Sequence, residues 1–329
     1  MAEIIVLGAD GGGTSTRVVL ADHDGTVLGY GRAGPSSLDG VDLETTTRHI
    51  GEAVDSAWQD SGLRPRPVDA SFWGIAGVAS ERDRDLIRGV VLAGRVSDPH
   101  HVGIDHDIRI ALAGGLGNRP GIVLIAGTGS SCYGRASTGA SVRVGGWGHV
   151  LDDGGSSYFL GLEAVKAVVR SADGRRGPTS LTDAVLSRYG IADVQEIMHE
   201  LYATRSGKSD LAALAPVVLA AAEDGDEAAR NIVEAAFEEL AGLVSVACSR
   251  LALGSAERRL TVTGGLAHSG AYFRDGLYRA VAAKVPGIQV QEPLLPPVLG
   301  AVLLALELLD PPSAARALPA LLRAGQAVT

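Results

Sequence analysis

Apolar positions follow two rhythms along this chain. Short apolar runs at residues 4–7, 18–21 and 27–30 are separated by the turn residues Asp10-Gly11-Gly12-Gly13 and Asp24-Gly25. Runs of that length, bounded by such turns, predict three strands in an antiparallel meander. The rhythm then changes. Across residues 42–60, Ile50, Ala53, Val54, Ala57 and Trp58 recur at intervals of three and four and predict a helix with one apolar face. Pro65 and Pro67 mark a loop, after which residues 71–76 read as a strand, 82–92 as a helix and 102–104 as a strand. Strands alternating with helices predict an α/β domain.

Near residue 118 the plan restarts. Residues 121–126 predict a strand, Gly127-Thr128-Gly129-Ser130 a turn, and the residues through Tyr133 a second strand. Alanine-rich helices follow at 163–169, 211–222 and 227–253, then a strand at 260–263 and a final helix from Val298. A strand, a glycine turn and a strand open each half, which predicts an internal duplication. The domains are expected at residues 1–117 and 118–329.

Composition narrows the function. The chain has 329 residues, enough for two cores, and 44 glycines, more than turns alone require. A net charge of −9 argues against nucleic acid or an anionic membrane as partner. Residues 1–8 lack a basic leader region, and the longest apolar stretch, 298–309, is interrupted by Glu307, so no membrane span is expected. The two cysteines, Cys132 and Cys248, do not make a disulfide framework or a cysteine-rich zinc site. His100, His101 and His106 have no second cluster of ligands beside them. A cytoplasmic protein is the expectation.

The glycine turns carry the candidate chemistry, because bare backbone N–H groups can converge on a phosphate. They fit neither common nucleotide motif. Gly207-Lys208-Ser209 has Tyr202 where a Walker loop needs its first glycine, Gly127-Thr128-Gly129 ends on Cys132, and Gly11-Gly12-Gly13 ends on Thr16. The remaining arrangement is a pair of hairpin turns, Asp10-Gly11-Gly12-Gly13-Thr14 and Gly127-Thr128-Gly129-Ser130, followed by the pair Gly264-Gly265 after a strand. No lysine is near either turn in sequence, so backbone N–H groups and a metal ion would have to neutralise the phosphates.

This three-part order resembles the phosphate-1, phosphate-2 and adenosine segments of the actin-like ATPase and sugar-kinase superfamily. With Gly74-Ile75-Ala76-Gly77, Asp107, Gly145-Gly146-Trp147-Gly148-His149, Asp153 and Gly155-Ser156, the chain resembles the N-acetylglucosamine kinase branch of the BadF-type ATPases. The resemblance implies a two-domain actin-like (ribonuclease H-like) α/β fold with a central interdomain cleft. It implies ATP and Mg²⁺ as cofactors, an amino sugar phosphorylated at its 6-hydroxyl, and a homodimer. Thr14 and Gly11, Gly12 and Gly13 around it would hold phosphates, with Asp10 positioning the metal. Gly127, Thr128, Gly129 and Ser130 would meet the phosphates from the other domain. Gly264 and Gly265 would approach the nucleoside, and Ala212 would line the adenine pocket. Asp107 would be the catalytic base, and Ser36, Ser37, Gly77, Gly146, Trp147, Gly148 and Asp153 would contact the sugar.

Plainer roles are open for some of these residues. Asp107 also suits the N-cap of a helix beginning near Ile108, Trp147 could be core, and Cys132 reads as a small buried filler. Three positions depart from the family pattern. Asp152-Asp153-Gly154-Gly155 stands where relatives carry Gly-Asp-Glu-Gly, Ser36 or Ser37 replaces an asparagine, and Val144 replaces a cysteine. All three lie on the acceptor side, which leaves glucosamine and N-acetylmuramic acid as alternative substrates. A further alternative is an energy-coupling ATPase without a sugar acceptor; such proteins hold an iron–sulfur cluster through paired cysteines, a spacing absent here.

Overall fold

The computed structural model describes residues 4–203 and 207–328; residues 1–3 of the segment read for a leader lie outside these. The chain forms two compact units, Met1–Pro120 with Glu292–Thr329, and Gly121–Gln291.

In the first unit the predicted meander is β1 (Ile5–Gly11), β2 (Thr16–Asp22) and β3 (Val27–Ala33). Helix α1 (Leu43–Ser61) follows, capped by Asp42 accepting from Thr45 N at 2.7 Å and ended by Gly62 at φ +66°. All five apolar residues of the predicted face are buried. Then come β4 (Ala70–Ile75), α2 (Glu81–Ala93), β5 (Val102–Asp105) and α3 (Asp107–Leu116). The strands order as β3-β2-β1-β4-β5, with β4 and β5 parallel to β1. Both faces of this sheet are covered. Ile5, Leu7 and Ala9 join one core with α1, while Val6, Val19 and Ala21 join another on the opposite face. That double burial is why these strands read as continuous apolar runs.

The second unit repeats the scheme with β6 (Gly121–Ala126), β7 (Ser130–Arg135), β8 (Ser141–Gly145), β9 (Arg259–Thr263) and β10 (Gln289–Gln291). Its order, β8-β7-β6-β9-β10, matches the first sheet strand for strand, three antiparallel and then two parallel. Its helices are α4 (Ser157–Ala172), α5 (Leu181–Tyr189), α6 (Ile197–Ala203), α7 (Lys208–Ala212), α8 (Ala215–Glu223), α9 (Glu227–Arg250) and α10 (Ala271–Lys284). The helix expected over 211–222 is two helices. Pro216 sits in the first turn of α8, where its missing N–H and fixed φ favour a new start over continuation.

The chain then returns to the first unit through α11 (Pro297–Leu309) and α12 (Pro311–Val328), separated by Asp310 in extended backbone before Pro311. The sequence pattern assigns residues 292–329 to the second domain; the compact units group them with the first. Backbone proximity explains the grouping. A Cβ at Gly8 would lie 2.7 Å from the Val298 carbonyl, so β1 and α11 meet main chain to main chain. Gly300 likewise lies against α3, where a Cβ would overlap the Ile110 carbonyl. Among the described residues no helix is long and apolar enough to cross a membrane.

Gly300→Ala separates two effects. Helix propensity alone favours alanine by about 1 kcal/mol. The overlap with α3 reverses the sign, and a net loss of about 1–3 kcal/mol is expected from the denaturant midpoint. A raised midpoint would mean that α3 and α11 are not in backbone contact.

Candidate active site

In the first unit the site is built at the C-terminal ends of parallel strands, where ligands of open α/β sheets bind. Asp10 is the penultimate residue of β1 and pairs with Gly74 of β4, which in turn pairs with Asp105 of β5. Beyond Asp105 the chain enters α3, with Asp107 as its first residue. The N-cap is His106, whose Nδ1 accepts from Arg109 N at 3.1 Å, so the capping role open to Asp107 belongs to its neighbour. Burial pushes the Asp10 carboxyl up to about 6; the nearby Asp107 carboxyl adds to the rise and Arg17 opposes it. Two carboxyls thus share one end of the sheet.

The first glycine turn closes with Gly12 N donating to Ser15 O at 3.0 Å, leaving Gly13 and Thr14 exposed. It is braced from behind. Ser36 N donates to Gly12 O at 3.1 Å, Thr16 Oγ1 donates to Gly34 O at 2.7 Å, and the Thr16 and Ser36 hydroxyls are hydrogen-bonded to each other at 2.8 Å. Ser36 is fully buried and Ser37 nearly so, which sets Ser36 as a brace of the turn. Gly77, at φ +83°, lies against Asp39; a Cβ there would come within 3.0 Å of Asp39 Oδ1.

In the second unit Gly127 N donates to Gly129 O at 3.0 Å, and Thr128 is exposed at the tip. The first turn of α4 covers this hairpin, Ser157 N donating to Gly127 O at 2.8 Å. Gly264, at φ +101°, lies so close that a Cβ would be 2.5 Å from the Ala126 carbonyl. The Gly127–Ser130 turn and the Gly264-Gly265 pair are therefore neighbours. Ala212 ends α7, and that helix packs on α4, since a Cβ at Gly161 would overlap the Leu211 carbonyl.

Asp153 is placed at the same turn. Its buried carboxylate accepts from Ser130 N at 3.1 Å and from Lys208 Nζ at 2.6 Å, while Ser130 Oγ donates to Gly154 O at 2.7 Å. The expectation that no lysine attends either turn is thereby corrected: Lys208 Nζ would be 2.9 Å from a Cβ at Gly129. Sequence reading missed it because it lies 55 residues from its partner and outside any Walker spacing. The loop after β8 carries Gly146 and Gly148, both at positive φ, with Trp147 74% exposed and Val150 82% exposed. Trp147 is not core. Beside Gly154, a carboxylate is supplied from α9: Glu239 Oε2 would be 3.1 Å from a Cβ there. Cys132 and Cys248 are both buried free thiols in the core of this unit, with burial pushing each thiol upward. A hollow of about 410 Å³ lined in part by Phe159, Arg170 and Asn231 is bounded by none of the expected site residues.

The sequence behind this arrangement, the same sheet twice with a glycine hairpin after the first strand of each and a carboxylate after β5, has known relatives. It matches the BadF/BadG/BcrA/BcrD ATPase family over residues 7–305. The chain belongs to that family. The chain is 31% identical, over 91% of its length and 97% of the relative's, to an N-acetylmuramic acid/N-acetylglucosamine kinase of Clostridium acetobutylicum. An N-acetyl-D-glucosamine kinase of Dictyostelium discoideum is 28% identical over 93% and 99% of the two chains. A solved Chromobacterium violaceum structure, proposed to be an N-acetylglucosamine kinase, superposes with TM-score 0.73 at 28% identity, covering 92% and 99%. The two mixed α/β sheets of this BadF-type ATPase are those of the actin-like sugar kinases.

The raised Asp10 carboxyl has a consequence for the ligand-free protein. Its folded value lies above the ordinary 3.8, so the native state holds the proton more tightly than the unfolded chain between about pH 4 and 6. The Asp10 contribution is full below that window and lost as pH rises through about 6. Thermal midpoints should fall from pH 4 to 7 relative to Asp10→Asn; parallel profiles would remove Asp10 as the source.

Proposed function

We propose that this BadF-type ATPase is an ATP-dependent kinase that phosphorylates an amino sugar, N-acetylglucosamine first, at its 6-hydroxyl. The observation that carries the reading is Asp107, the first residue of α3, sharing the end of the sheet with Asp10 beside the first glycine turn. The names of the Clostridium and Dictyostelium relatives support the substrate class.

In this reading the exposed backbone of Gly13 and Thr14 takes phosphate oxygens in the first unit, and the exposed Thr128 and half-buried Gly129 do so in the second. Gly264, Gly265 and Ala212 form the nucleoside wall. Phosphoryl transfer passes through a loose transition state, so holding the reactants in line supplies most of the acceleration. Asp107 orients the acceptor hydroxyl and takes its proton as the oxygen–phosphorus bond forms and the bond to ADP breaks. Gly77, Gly146, Trp147 and Gly148 approach the sugar.

Mg²⁺ fits the donor set. It binds through one or two carboxylates together with substrate phosphates, and Asp10 and Asp107 offer oxygen donors only. When bound it would neutralise charge on the phosphates. The raised Asp10 value describes the protein without that cation. The family resemblance extends the proposal to a cytoplasmic homodimer.

N-acetylmuramic acid is a second acceptor favoured by a specific observation. Position 154 bears no side chain, and the Clostridium relative is named for both sugars.

A coupled ADP-release assay with ATP–Mg²⁺ against N-acetylglucosamine, N-acetylmuramic acid, glucosamine, N-acetylmannosamine and glucose tests the reading. A saturable rate with an amino sugar is expected; a flat panel above slow hydrolysis would discard the acceptor. Asp107→Asn should lower kcat by about 10²–10⁴ while ADP affinity is retained. A near-normal rate would remove Asp107 from proton transfer.

A further inference from the structure

Lys208 is one of only three lysines in the chain, and the fold brings its ammonium to the side of the second glycine turn. Its position is tightly set. α7 carries it, and α7 is pressed onto α4 through Gly161, while the first turn of α4 covers the Gly127–Ser130 hairpin. The charge is held from the other side by Asp153, whose two oxygens are divided between the turn and the lysine: Oδ1 accepts from Ser130 N at 3.1 Å, and Oδ2 accepts from Lys208 Nζ at 2.6 Å. The aspartate side chain is 4% exposed, whereas the lysine is 30% exposed. One end of this pair is therefore withdrawn from solvent and the other faces it.

An ammonium has three N–H donors and no acceptor. One is spent on Asp153, and two remain to be directed beside Gly129. Glycine at that position is also what admits them, since a Cβ would stand 2.9 Å from Nζ and 2.8 Å from Asp153 Oδ1. Ala212 lies four residues after Lys208, on the same face of α7. One short helix thus carries both a cation for the phosphates and an apolar contact for the base.

We propose that Lys208 is a nucleotide-binding residue that donates to phosphate oxygens of ATP and ADP at the Gly127–Ser130 turn, with Asp153 as its positioning residue. The inference rests on the assignment of that turn to phosphate in the proposed kinase. It moves Asp153 from the sugar to the phosphate end of the reaction, and it supplies the cation that the sequence motif lacks.

The test compares ADP with adenosine, which shares the base and ribose but carries no phosphate. By calorimetric titration, Lys208→Met should weaken ADP about 10–100-fold and leave adenosine within about twofold. Lys208→Arg should recover part of the loss. Removing the lysine strands a buried carboxylate, so the same substitution is also made on an Asp153→Asn background. There, Lys208→Met should still cost ADP about tenfold or more. Equal losses for ADP and adenosine, or no further loss on the Asp153→Asn background, would reduce Lys208 to a brace for Asp153 and overturn the proposal. So would a wild-type protein that fails to bind ADP. Wild-type protein that binds ADP with this lysine dependence, yet phosphorylates no sugar in the panel, would leave Lys208 in place and discard the acceptor instead.

Discussion

A carboxylate withdrawn from water must be satisfied by donors that cannot move far, and in the second unit Asp153 imposes that condition on everything around the glycine turn. Its carboxylate accepts from the turn at Ser130 and from α7 at Lys208. Its own carbonyl accepts from Ser156 N at 3.2 Å, and Ser156 caps α4. Two segments distant in sequence are thus registered on one side chain, and the start of α4 on the same residue's backbone. Losing Ser130 N or Lys208 Nζ would leave part of a buried charge unpaired, a heavy cost in a weakly polar surrounding. The residue accepts a left-handed backbone, φ +65°, to reach this place.

The first unit solves the same problem differently. Its sheet has the same order and directions, yet the turn between β1 and β2 is braced by hydroxyls, those of Thr16 and Ser36. The charged groups there, Asp10 and Asp107, stand at the strand ends and repel each other. One topology therefore presents an anionic end in one copy and a turn flanked by a lysine in the other. The strand pairing is the same in both units while the loops differ, as expected where function resides in residues grafted onto a fold.

Much of this was legible in the residues themselves. The face of α1, the two hairpins and the buried strands follow from periodicity and turn chemistry, and α1 begins at Leu43, one residue into the span read as helical. Other elements left no readable mark. β10 is three residues with glutamine at both ends, β8 alternates around a central arginine, and α10 starts at Ala271 after a glycine N-cap that offers no side chain. The C-terminal helices carry no label of the unit that they join, because the decisive signals, Gly8 and Gly300, are missing side chains and not distinctive ones. At the site, turn chemistry marked both glycine hairpins, and the family resemblance, not a local pattern, nominated Asp107. They could not locate Lys208 or Glu239, whose relation to the turn and to Gly154 exists only after α7 and α9 have packed.

The return of residues 292–329 to the first unit bears on how the chain is made. β1 and β4 emerge from the ribosome early, but the helix that covers one face of their sheet, α11, is encoded after the whole of Gly121–Gln291. At about 5–20 residues per second, translating that interval takes roughly 10–30 s. Throughout it Val6, Val19, Ala21 and Ala70 lack their final apolar cover. The second unit has its entire core within one uninterrupted stretch and can close while the first is still waiting. Vectorial synthesis thus makes the earlier-born half the later one to mature, and the period of greatest dependence on chaperones falls on the N-terminal strands.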